Sequence, residues 1–360
     1  MVRLTRAQQQ ERTRAAVVAA ARQEFTEYGY VEAKVDRIAE RADLTRGAVY
    51  SNFPSKRALY LAVLVDLVDH AAVDEAPRTA PASVAEALGA FARVWLERLP
   101  LLDDSPAGGH LHLRSLSGVL DDEPARTALA QVIRLEALLL ALALEAHRPR
   151  HARRVRLAEL VLTLVHGSAG LAETAPGFGD PFDVARACEH LAGLDLADAW
   201  NPPHLPYVSA AQPGDDTWTP PTELADQIAG RRVDLGADGV IAVLGAGRLA
   251  AAEEAVRAAG PDDQVTVVVV TSDPAEISRL VRLRISDLLA CLRRVFAVDA
   301  WPRLRLVLDD GALVAAAAGL PNDGDATEAA IRIRDGRIVA RAEGRGAAHA
   351  AGQRWHSHDR

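Results

Sequence analysis

Cysteine, lysine and long apolar runs are scarce in this chain, and each scarcity excludes a class of protein. Two cysteines, Cys188 and Cys291, are too few for a disulfide-stapled scaffold and are typical of a reducing compartment. The apolar run at residues 137–146 is too short to span a bilayer, which requires about 20 residues. Because the first residues are polar, we expect no secretory signal, no membrane association and a cytoplasmic location.

Lysine is limited to two residues, and their placement divides the chain electrostatically. Lys34 and Lys56 both lie within residues 1–60, where eleven basic and seven acidic side chains give a net charge of +4. The whole chain carries −8, so the remaining residues carry −12. We therefore expect the first 60 residues to hold the phosphate-binding surface, while the acidic remainder repels nucleic acid.

Residues 33–53 predict two short helices separated by a tight turn. The first helix has apolar residues at the i, i+3, i+4, i+7 spacing of one buried face, namely Val35, Ile38, Ala39 and Ala42. Asp43 interrupts this pattern and tolerates the left-handed backbone of a turn. The Thr45 hydroxyl can then cap the next helix. This arrangement is a helix-turn-helix, an element that reads DNA.

The second helix has one apolar and one polar face. Val49 and Phe53 point inward, whereas Arg46 and Tyr50, also four residues apart, point outward. Arg46 is the best candidate for a bidentate contact with guanine. The residues that we expect to contact DNA are Lys34, Thr45, Arg46, Gly47, Ala48, Tyr50, Ser51, Asn52 and Lys56.

These nine residues have three expected roles. Thr45 and Asn52 are candidates for base edges other than guanine. Four others are expected at phosphates, which position a protein without reading sequence, namely Tyr50, Ser51, Lys34 and Lys56. Gly47 and Ala48 permit close approach of the helix backbone to the groove.

Residues 12–64 resemble the DNA-binding domain of the TetR family of bacterial repressors. The likeness lies in the opening helix RTRAAVVAAARQEFTEYGY, the helix-turn-helix and the exit segment YSNFPSKRALYLAVL, which is the most specific part. The family often has glycine where Asp43 stands, and usually threonine where Lys34 stands. The resemblance implies a homodimeric repressor that binds a palindromic operator and releases it when a small effector binds.

The pattern along the chain predicts several domains, and the same resemblance implies that the first part is all-α; the regulator family does not ordinarily carry the α/β part that follows. The expected order is a DNA-binding domain at 1–60, a helical ligand-binding and dimerisation domain at 61–195, a Pro/Gly-rich linker at 196–222, an α/β domain at 223–350 and a polar tail at 351–360. Dimerisation is expected through helices near residues 152–173 and 181–194. An effector pocket is expected between the helices, with Trp95, His112, Arg134 and His166 as its candidate lining.

Residues 223–350 predict alternating strands and helices and a closing hairpin around Asp335-Gly336. This order resembles the thioredoxin-like redoxins. In active redoxins the reactive cysteine follows the first core strand, but here that place holds Gly245-Ala-Gly-Arg248 and no thiol. The resemblance therefore implies a non-catalytic accessory domain for assembly or sensing.

The glycine-rich loop supports an alternative. Gly245-x-Gly247-x-x-Ala250 follows a strand, as in a dinucleotide-binding fingerprint, and Asp273 closes the next strand where a ribose-binding acid would stand. A regulator fused to a redox or dinucleotide-binding domain would be a redox sensor or an oxidoreductase. The redoxin-like interpretation is favoured because a closing antiparallel hairpin does not suit a doubly wound sheet.

Metal binding and thiol chemistry have little support in the sequence. His110-x-His112 has no cysteine partner, so we expect no metal site. Cys188 and Cys291 are interpreted as buried, inert thiols, with a redox switch as the alternative. The sequence therefore predicts no enzymatic activity, no cofactor and no metal.

Overall fold

The first half of the described chain is helical. The computed structural model describes residues 5–71, 80–97, 116, 119–147, 153–175, 177–196, 198, 202–296 and 304–353. Its helices up to residue 191 are α1 (Arg6–Glu32), α2 (Val35–Arg41), α3 (Arg46–Asn52), α4 (Lys56–Ala71), α5 (Val84–Leu96), α6 (Glu123–His147), α7 (Val155–Thr174) and α8 (Pro181–Leu191). His112, one of the residues expected to line the effector pocket, lies outside the described residues.

The second half is an α/β fold built on one mixed sheet. Its strands are β1 (Gln212–Thr217), β2 (Ala225–Asp226), β3 (Arg231–Arg232), β4 (Gly239–Gly245), β5 (Gln264–Val270), β6 (Leu304–Leu308), β7 (Glu328–Arg334) and β8 (Arg337–Glu343). Its helices are α9 (Ala251–Ala258), α10 (Ile277–Arg293), α11 (Leu313–Ala318) and α12 (Ala347–Gly352). The strand order is β1-β8-β7-β4-β5-β6-β2-β3, with β4, β5 and β6 parallel and the other pairs antiparallel.

The central strands are buried on both faces. The sequences of β4 and β5, GVIAVLG and QVTVVVV, are the continuous apolar runs expected of such strands. Helices α9, α10 and α12 cover one face of the sheet, and α11 with Trp218 covers the other. The predicted hairpin is present, with Asp335 and Gly336 at positive φ as a two-residue turn requires.

Helix α10 joins the two halves. It packs against α4 and α6 of the helical half while its other side lies on the sheet. One continuous hydrophobic core consequently extends from Val17 in α1 to Leu306 in β6. The α/β part, expected as a separate module, therefore shares its core with the helical part.

One local expectation differs from the structure. Residues 212–217 were expected in a linker but form β1, because a sheet edge tolerates proline and pairing with β8 satisfies the backbone. At the opposite edge of the sheet, β3 pairs with the short β2. In the helical half, Gly29 has φ of 67° and kinks α1, but helical geometry resumes after this kink and α1 continues to Glu32.

Two helices exceed the apolar length that we expected from the sequence. By length and composition alone, residues 123–146 of α6 and 155–172 of α7 could each cross a membrane. The α6 stretch is 67% buried within the fold, as in the core helix of a globular protein, whereas the α7 stretch is only 33% buried. Helix α7 therefore has an apolar side that the described residues leave uncovered.

Candidate functional site

The turn between α2 and α3 is a Schellman motif. The Leu44 N–H donates to the Ala39 carbonyl at 2.9 Å. The Asp43 N–H donates to the Glu40 carbonyl at 3.1 Å. Asp43 has φ of 54°, which confirms the left-handed backbone predicted there. These bonds fix the direction in which the chain enters α3.

Helix α3 is capped and anchored as the sequence predicts. The Thr45 hydroxyl accepts a hydrogen bond from a backbone N–H one turn later, at 3.2 Å. Val49 and Phe53 are each 1% exposed and lie in the hydrophobic core. Because these two residues hold the inner side of α3, Arg46 and Tyr50 lie on its outer, exposed side.

Arg46 is held loosely by neighbouring residues. Its guanidinium lies 3.3 Å from both carboxylate oxygens of Asp36 in α2 and 5.5 Å from the ring centroid of Tyr50. The Arg46 and Asp36 side chains are 60% and 61% exposed. Since such an exposed ion pair contributes at most about 1 kcal/mol, Arg46 can exchange Asp36 for an external acceptor at little cost.

Gly47 faces open space on the same side. A Cβ at this position would meet only the Thr45 hydroxyl, at 3.9 Å. Packing within the chain therefore does not require glycine here. Lys34, the N-cap residue of α2, is also exposed and makes no capping bond with its side chain, so its ammonium is available to an external partner.

The three remaining polar residues of the expected surface are engaged with the chain itself. Ser51 and Asn52 both donate to the Ala48 carbonyl, at 2.8 and 2.9 Å. The Lys56 ammonium donates to two backbone carbonyls at the C-terminal end of α1, at 3.1 and 3.2 Å, and burial lowers its pKa. Lys56 therefore does not point outward, because the end of α1 leaves carbonyls that need donors.

Glu24 is a structural residue that the sequence analysis missed. Its buried carboxylate accepts from the Lys34 N–H at 3.0 Å and pairs with Arg37 of α2. Burial alone would raise the Glu24 pKa, but the hydrogen bonds and the charges of Arg37 and Arg41 outweigh burial and lower it. A carboxylate four residues after buried Ala20, on the apolar stripe of α1, was the available signal.

The start of α4 is bonded to the start of α10. The Glu276 carboxylate accepts from the Ser55 hydroxyl and forms an ion pair with Arg57. Arg57 also bonds to Asp122, just before α6, at 2.5 Å. The Arg57 and Glu276 side chains are only 21% and 12% exposed, so this junction is largely removed from water.

Arg279, one turn further along α10, extends this contact to the end of the helix-turn-helix. Its guanidinium donates to the Ala58 carbonyl at 3.3 Å and lies 5.5 Å from the ring centroid of Phe53. Arg282 pairs with Asp69 of α4 at 2.9 Å. The α/β half therefore contacts α4 along its length, beginning three residues after α3.

The expected effector residues do not form one pocket. Trp95 and His166 are in contact, with ring centroids 5.0 Å apart, but Arg284 of α10 lies against both. Arg284 is buried and also bonds to Glu136 of α6 at 2.8 Å. Arg134 is exposed and faces a different place, a cleft between the two halves. The interior of the helical half is thus occupied by a side chain from the α/β half.

The glycine-rich loop after β4 is filled by the chain. The Gly245 N–H donates to the Thr327 carbonyl at 2.7 Å and the Gly247 N–H to the Asp325 carbonyl at 3.0 Å. A Cβ on Gly245 would lie 2.4 Å from the Asp325 backbone. These glycines therefore accommodate the turn at residues 324–326, and their N–H groups are not available to a pyrophosphate.

The two cysteines are buried and not bonded to each other. Burial and the neighbouring Glu189 raise the pKa of Cys188 to about 11, so its thiol stays protonated at neutral pH. Cys291 lies in the interior of α10. Within the part of the chain that the structure describes, no three His, Cys, Asp or Glu side chains form a group that could hold a metal.

Comparison with known proteins identifies one segment. Residues 17–63 match the family described as bacterial regulatory proteins, tetR family. The match begins within α1 and ends within α4, so it spans the whole helix-turn-helix. Residues 17–63 therefore form a tetR-family N-terminal domain. Among curated proteins, none matches the chain.

Several solved structures are similar over about half of the chain. A transcriptional regulator from Rhodococcus sp. RHA1 is 21% identical with a TM-score of 0.37, over 50% of this chain and 94% of its own. NalD, the secondary repressor of the MexAB-OprM multidrug efflux pump in Pseudomonas aeruginosa, is 21% identical with a TM-score of 0.31, over 51% and 93%. Both TM-scores are low, so these superpositions alone establish nothing about this chain.

Proposed function

We propose that this protein is a DNA-binding transcriptional regulator, in which α3 enters the major groove of an operator. The observation that carries the proposal is the exposed pair Arg46 and Tyr50 on a capped helix whose other side is buried, within a segment that matches the tetR family. A short helix fixed by a turn, with an arginine near its amino end, is the geometry that helix-turn-helix proteins use.

The expected contacts divide into base and phosphate contacts. Arg46 makes the bidentate contact with guanine, and Gly47 allows the helix backbone to approach the groove. Tyr50 and Lys34 bind phosphates. Thr45, Ala48, Ser51 and Asn52 line the same surface, and the last two reach DNA by exchanging their bonds to the Ala48 carbonyl. Lys56 has a structural role instead.

The working unit is a homodimer. Helix α7 exposes Leu160 and Leu171, and a Cβ on Gly167 or Gly170 would meet, among the described residues, no atom outside the helix's own backbone within 4 Å. Phe182 at the start of α8 is 76% exposed. An apolar face with small residues suits close packing of α7 and α8 on a second copy, and a two-fold pair of α3 helices reads a palindrome.

The regulator is a repressor that a small molecule releases from its operator in the cytoplasm. Helix α4 has two positions, which give two spacings of the α3 helices in the dimer. The two states differ by a few kcal/mol in free energy, and the effector binds one of them more tightly. The α/β half has no enzymatic role. It is an accessory domain, and the ion pair between Glu276 and Arg57 couples the position of α10 to that of α4.

The α/β half is related to the thioredoxin-like redoxins. The supporting observation is the sequence of elements β4-α9-β5-α10, followed by the antiparallel hairpin β7-β8 placed beside β4 and then α12. β6 and α11 are inserted before the hairpin. The loop after β4 contains no thiol, so the domain has the architecture of a redoxin but lacks the reactive cysteine of an active one.

Fluorescence anisotropy with labelled DNA from the protein's own upstream region tests the proposal. The parent should prefer this DNA to a scrambled duplex, and Arg46→Ala should remove about 1–3 kcal/mol of that preference. Lys34→Ala should weaken binding to both duplexes equally and reduce the slope against salt concentration. Equal binding of the two duplexes by parent and Arg46→Ala would refute the proposal.

A further inference from the structure

A cleft of about 500 Å³ lies where the two halves meet. Its walls are α6 and α7 on the helical side, and the start of α9, residues 202–204 and Arg345 on the α/β side. At its floor the Ala250 N–H donates to the Gln131 side-chain carbonyl at 2.9 Å. The cleft therefore exists only while the α/β half is seated on the helical half. Its volume is that of sites for small organic molecules.

Four arginines line the cleft, and two of them are already paired. Arg156 donates to both carboxylate oxygens of Glu253 at 2.9 Å, and Arg248 pairs with Glu328. Arg134 and Arg345 are exposed at the cleft, and neither has an ion pair or a side-chain hydrogen bond to any residue that the structure describes. Two guanidinium groups therefore face the cleft without a counter-charge.

The acidic residues of the cleft do not supply that counter-charge. Glu253 is shared between Arg156 and Arg257, which lies 2.7 Å away, and Glu159 bonds to Arg156 at 2.6 Å. Glu254 is 8% exposed, and His204 Nε2 lies 3.0 Å from one of its oxygens. Burial and the nearby charge of Glu328 raise the pKa of Glu254. The three glutamates of the cleft therefore have partners of their own, whereas Arg134 and Arg345 do not have one among the described residues.

Apolar side chains complete the walls. Leu138 of α6 and Leu249, Pro202 and Pro203 of the α/β half line the cleft beside the charged groups. The lining is more polar than apolar, and its exposed apolar surface comes mainly from the two prolines, because Leu138 and Leu249 are only 2% and 0% exposed. The pattern fits a molecule with one charged end and one apolar end.

The interior of the helical half is the place where the sequence predicts a ligand. There Arg284 already contacts Trp95, His166 and Glu136, and it comes from the α/β half. A ligand would have to displace a buried, ion-paired guanidinium. The cleft requires no such displacement.

We propose that this cleft binds a small molecule carrying a carboxylate or phosphate group on an apolar body, with Arg134 and Arg345 holding the anionic group. Arginine pairs with either group through two parallel hydrogen bonds. Because α6 forms a wall of the cleft and packs against α10, which in turn packs against α4, the bound molecule acts on α4 through α6 and α10. That this molecule is the effector depends on the proposed function, whereas the site itself depends only on the geometry of the cleft.

Isothermal titration calorimetry on the full-length protein tests the site with three probes of matched shape. These are 2-naphthoate, 2-naphthyl phosphate and the uncharged 2-naphthol. At least one anion should bind, and should bind about tenfold or more tightly than 2-naphthol. The two anions then show whether a carboxylate or a phosphate is preferred. Failure of both anions to bind, or equal binding of 2-naphthol, would overturn the proposal.

Substitution of the two arginines gives the second arm. Arg134→Gln combined with Arg345→Gln should weaken the anion about tenfold or more without changing the thermal midpoint. Arg334→Gln, which removes an exposed arginine at the end of β7, is the matched control and should bind like the parent. An unchanged affinity in the double variant would reject the site.

Promoter binding by the same proteins separates the two claims. If the double variant binds anion like the parent while the parent still prefers its own promoter, the site is rejected and the proposed function stands. If the parent binds anion through the two arginines but has no promoter preference, the site stands and the proposed function is rejected.

Discussion

Glu276, the residue before α10, forms an ion pair with Arg57 in the first turn of α4, although the two residues are 219 positions apart in the chain. Arg57 also bonds to Asp122 just before α6, so one guanidinium joins three elements. The α3 helix ends only a few residues before this point. A movement of α10 therefore acts on α4, the helix that directly follows the helix-turn-helix.

Glu276→Ala tests this contact. The change leaves Arg57 largely buried with Asp122 as its remaining carboxylate partner, so we expect the free energy of unfolding to fall by about 1–3 kcal/mol. Backbone amides in the first turn of α4 should also exchange faster with deuterium. Arg282→Ala, which removes the exposed pair with Asp69, should cost no more than about 1 kcal/mol. Unchanged exchange in α4 of Glu276→Ala would contradict the coupling.

Gly47→Ala separates DNA approach from folding. Because a Cβ at residue 47 meets only the Thr45 hydroxyl, at 3.9 Å, the fold should be unchanged or stabilised by up to about 1 kcal/mol. Promoter affinity should nevertheless fall, since the added methyl group lies between α3 and the groove. Thermal denaturation and anisotropy measure the two effects. An alanine variant that is stable and binds DNA like the parent would show that α3 does not approach DNA on this side.

Gly167→Ala with Gly170→Ala applies the same reasoning to α7. Neither new methyl group meets a described atom outside the backbone of α7 itself, so the folded subunit should tolerate both. Overpacking at a subunit contact costs about 1–3 kcal/mol, so we expect the dimer dissociation constant to rise about tenfold. Sedimentation equilibrium measures it, with Gly47→Ala as the control for a glycine replacement elsewhere. An unchanged constant would place the dimer contact on another surface.

Glu24 makes the stability of the helix-turn-helix depend on pH. The folded protein holds the pKa of this carboxyl below its ordinary value of 4.5, so folding favours the charged form. Its stabilisation is complete above about pH 4.5 and is lost as the pH falls through the folded-state pKa. Glu24→Gln should therefore destabilise the protein at neutral pH, by about 1–3 kcal/mol, and this difference should shrink in acid.

Urea unfolding of both proteins between about pH 3 and pH 7 measures this difference. Glu27→Gln removes an exposed carboxylate from the same helix and should show a much smaller effect. A difference in the free energy of unfolding between the parent and Glu24→Gln that stays constant over this range would contradict the stabilising role of the Glu24 carboxylate.

Local patterns in the sequence predict much of this fold. The buried face of α2, the Thr45 cap, the left-handed Asp43, the continuous apolar run of β4 and the hairpin at Asp335 each follow from residues within a few positions of one another. For that reason the helix-turn-helix and its outward residues could be placed before the structure was known. β1 could not, because QPGDDT resembles a turn-rich linker until β8 is beside it.

Local sequence patterns do not predict the contacts between the two halves. Glu276 and Arg284 are ordinary polar residues on one helix, and nothing near them in the sequence identifies Arg57 or Glu136 as their partners. The expected pocket residues Trp95 and His166 were assigned to a ligand for the same reason, since the arginine that contacts them is more than 100 positions away. Arg134, exposed on α6, faces the cleft only because the α/β half forms its other wall.

The most direct measurement is a nuclease footprint of the purified protein on its own upstream DNA. We expect two protected half-sites related by a two-fold axis, with centres separated by about one helical turn of 10–10.5 base pairs or a multiple of it, and loss of both in Arg46→Ala. A footprint that covers a single half-site, or the same footprint with Arg46→Ala as with the parent, would contradict the account.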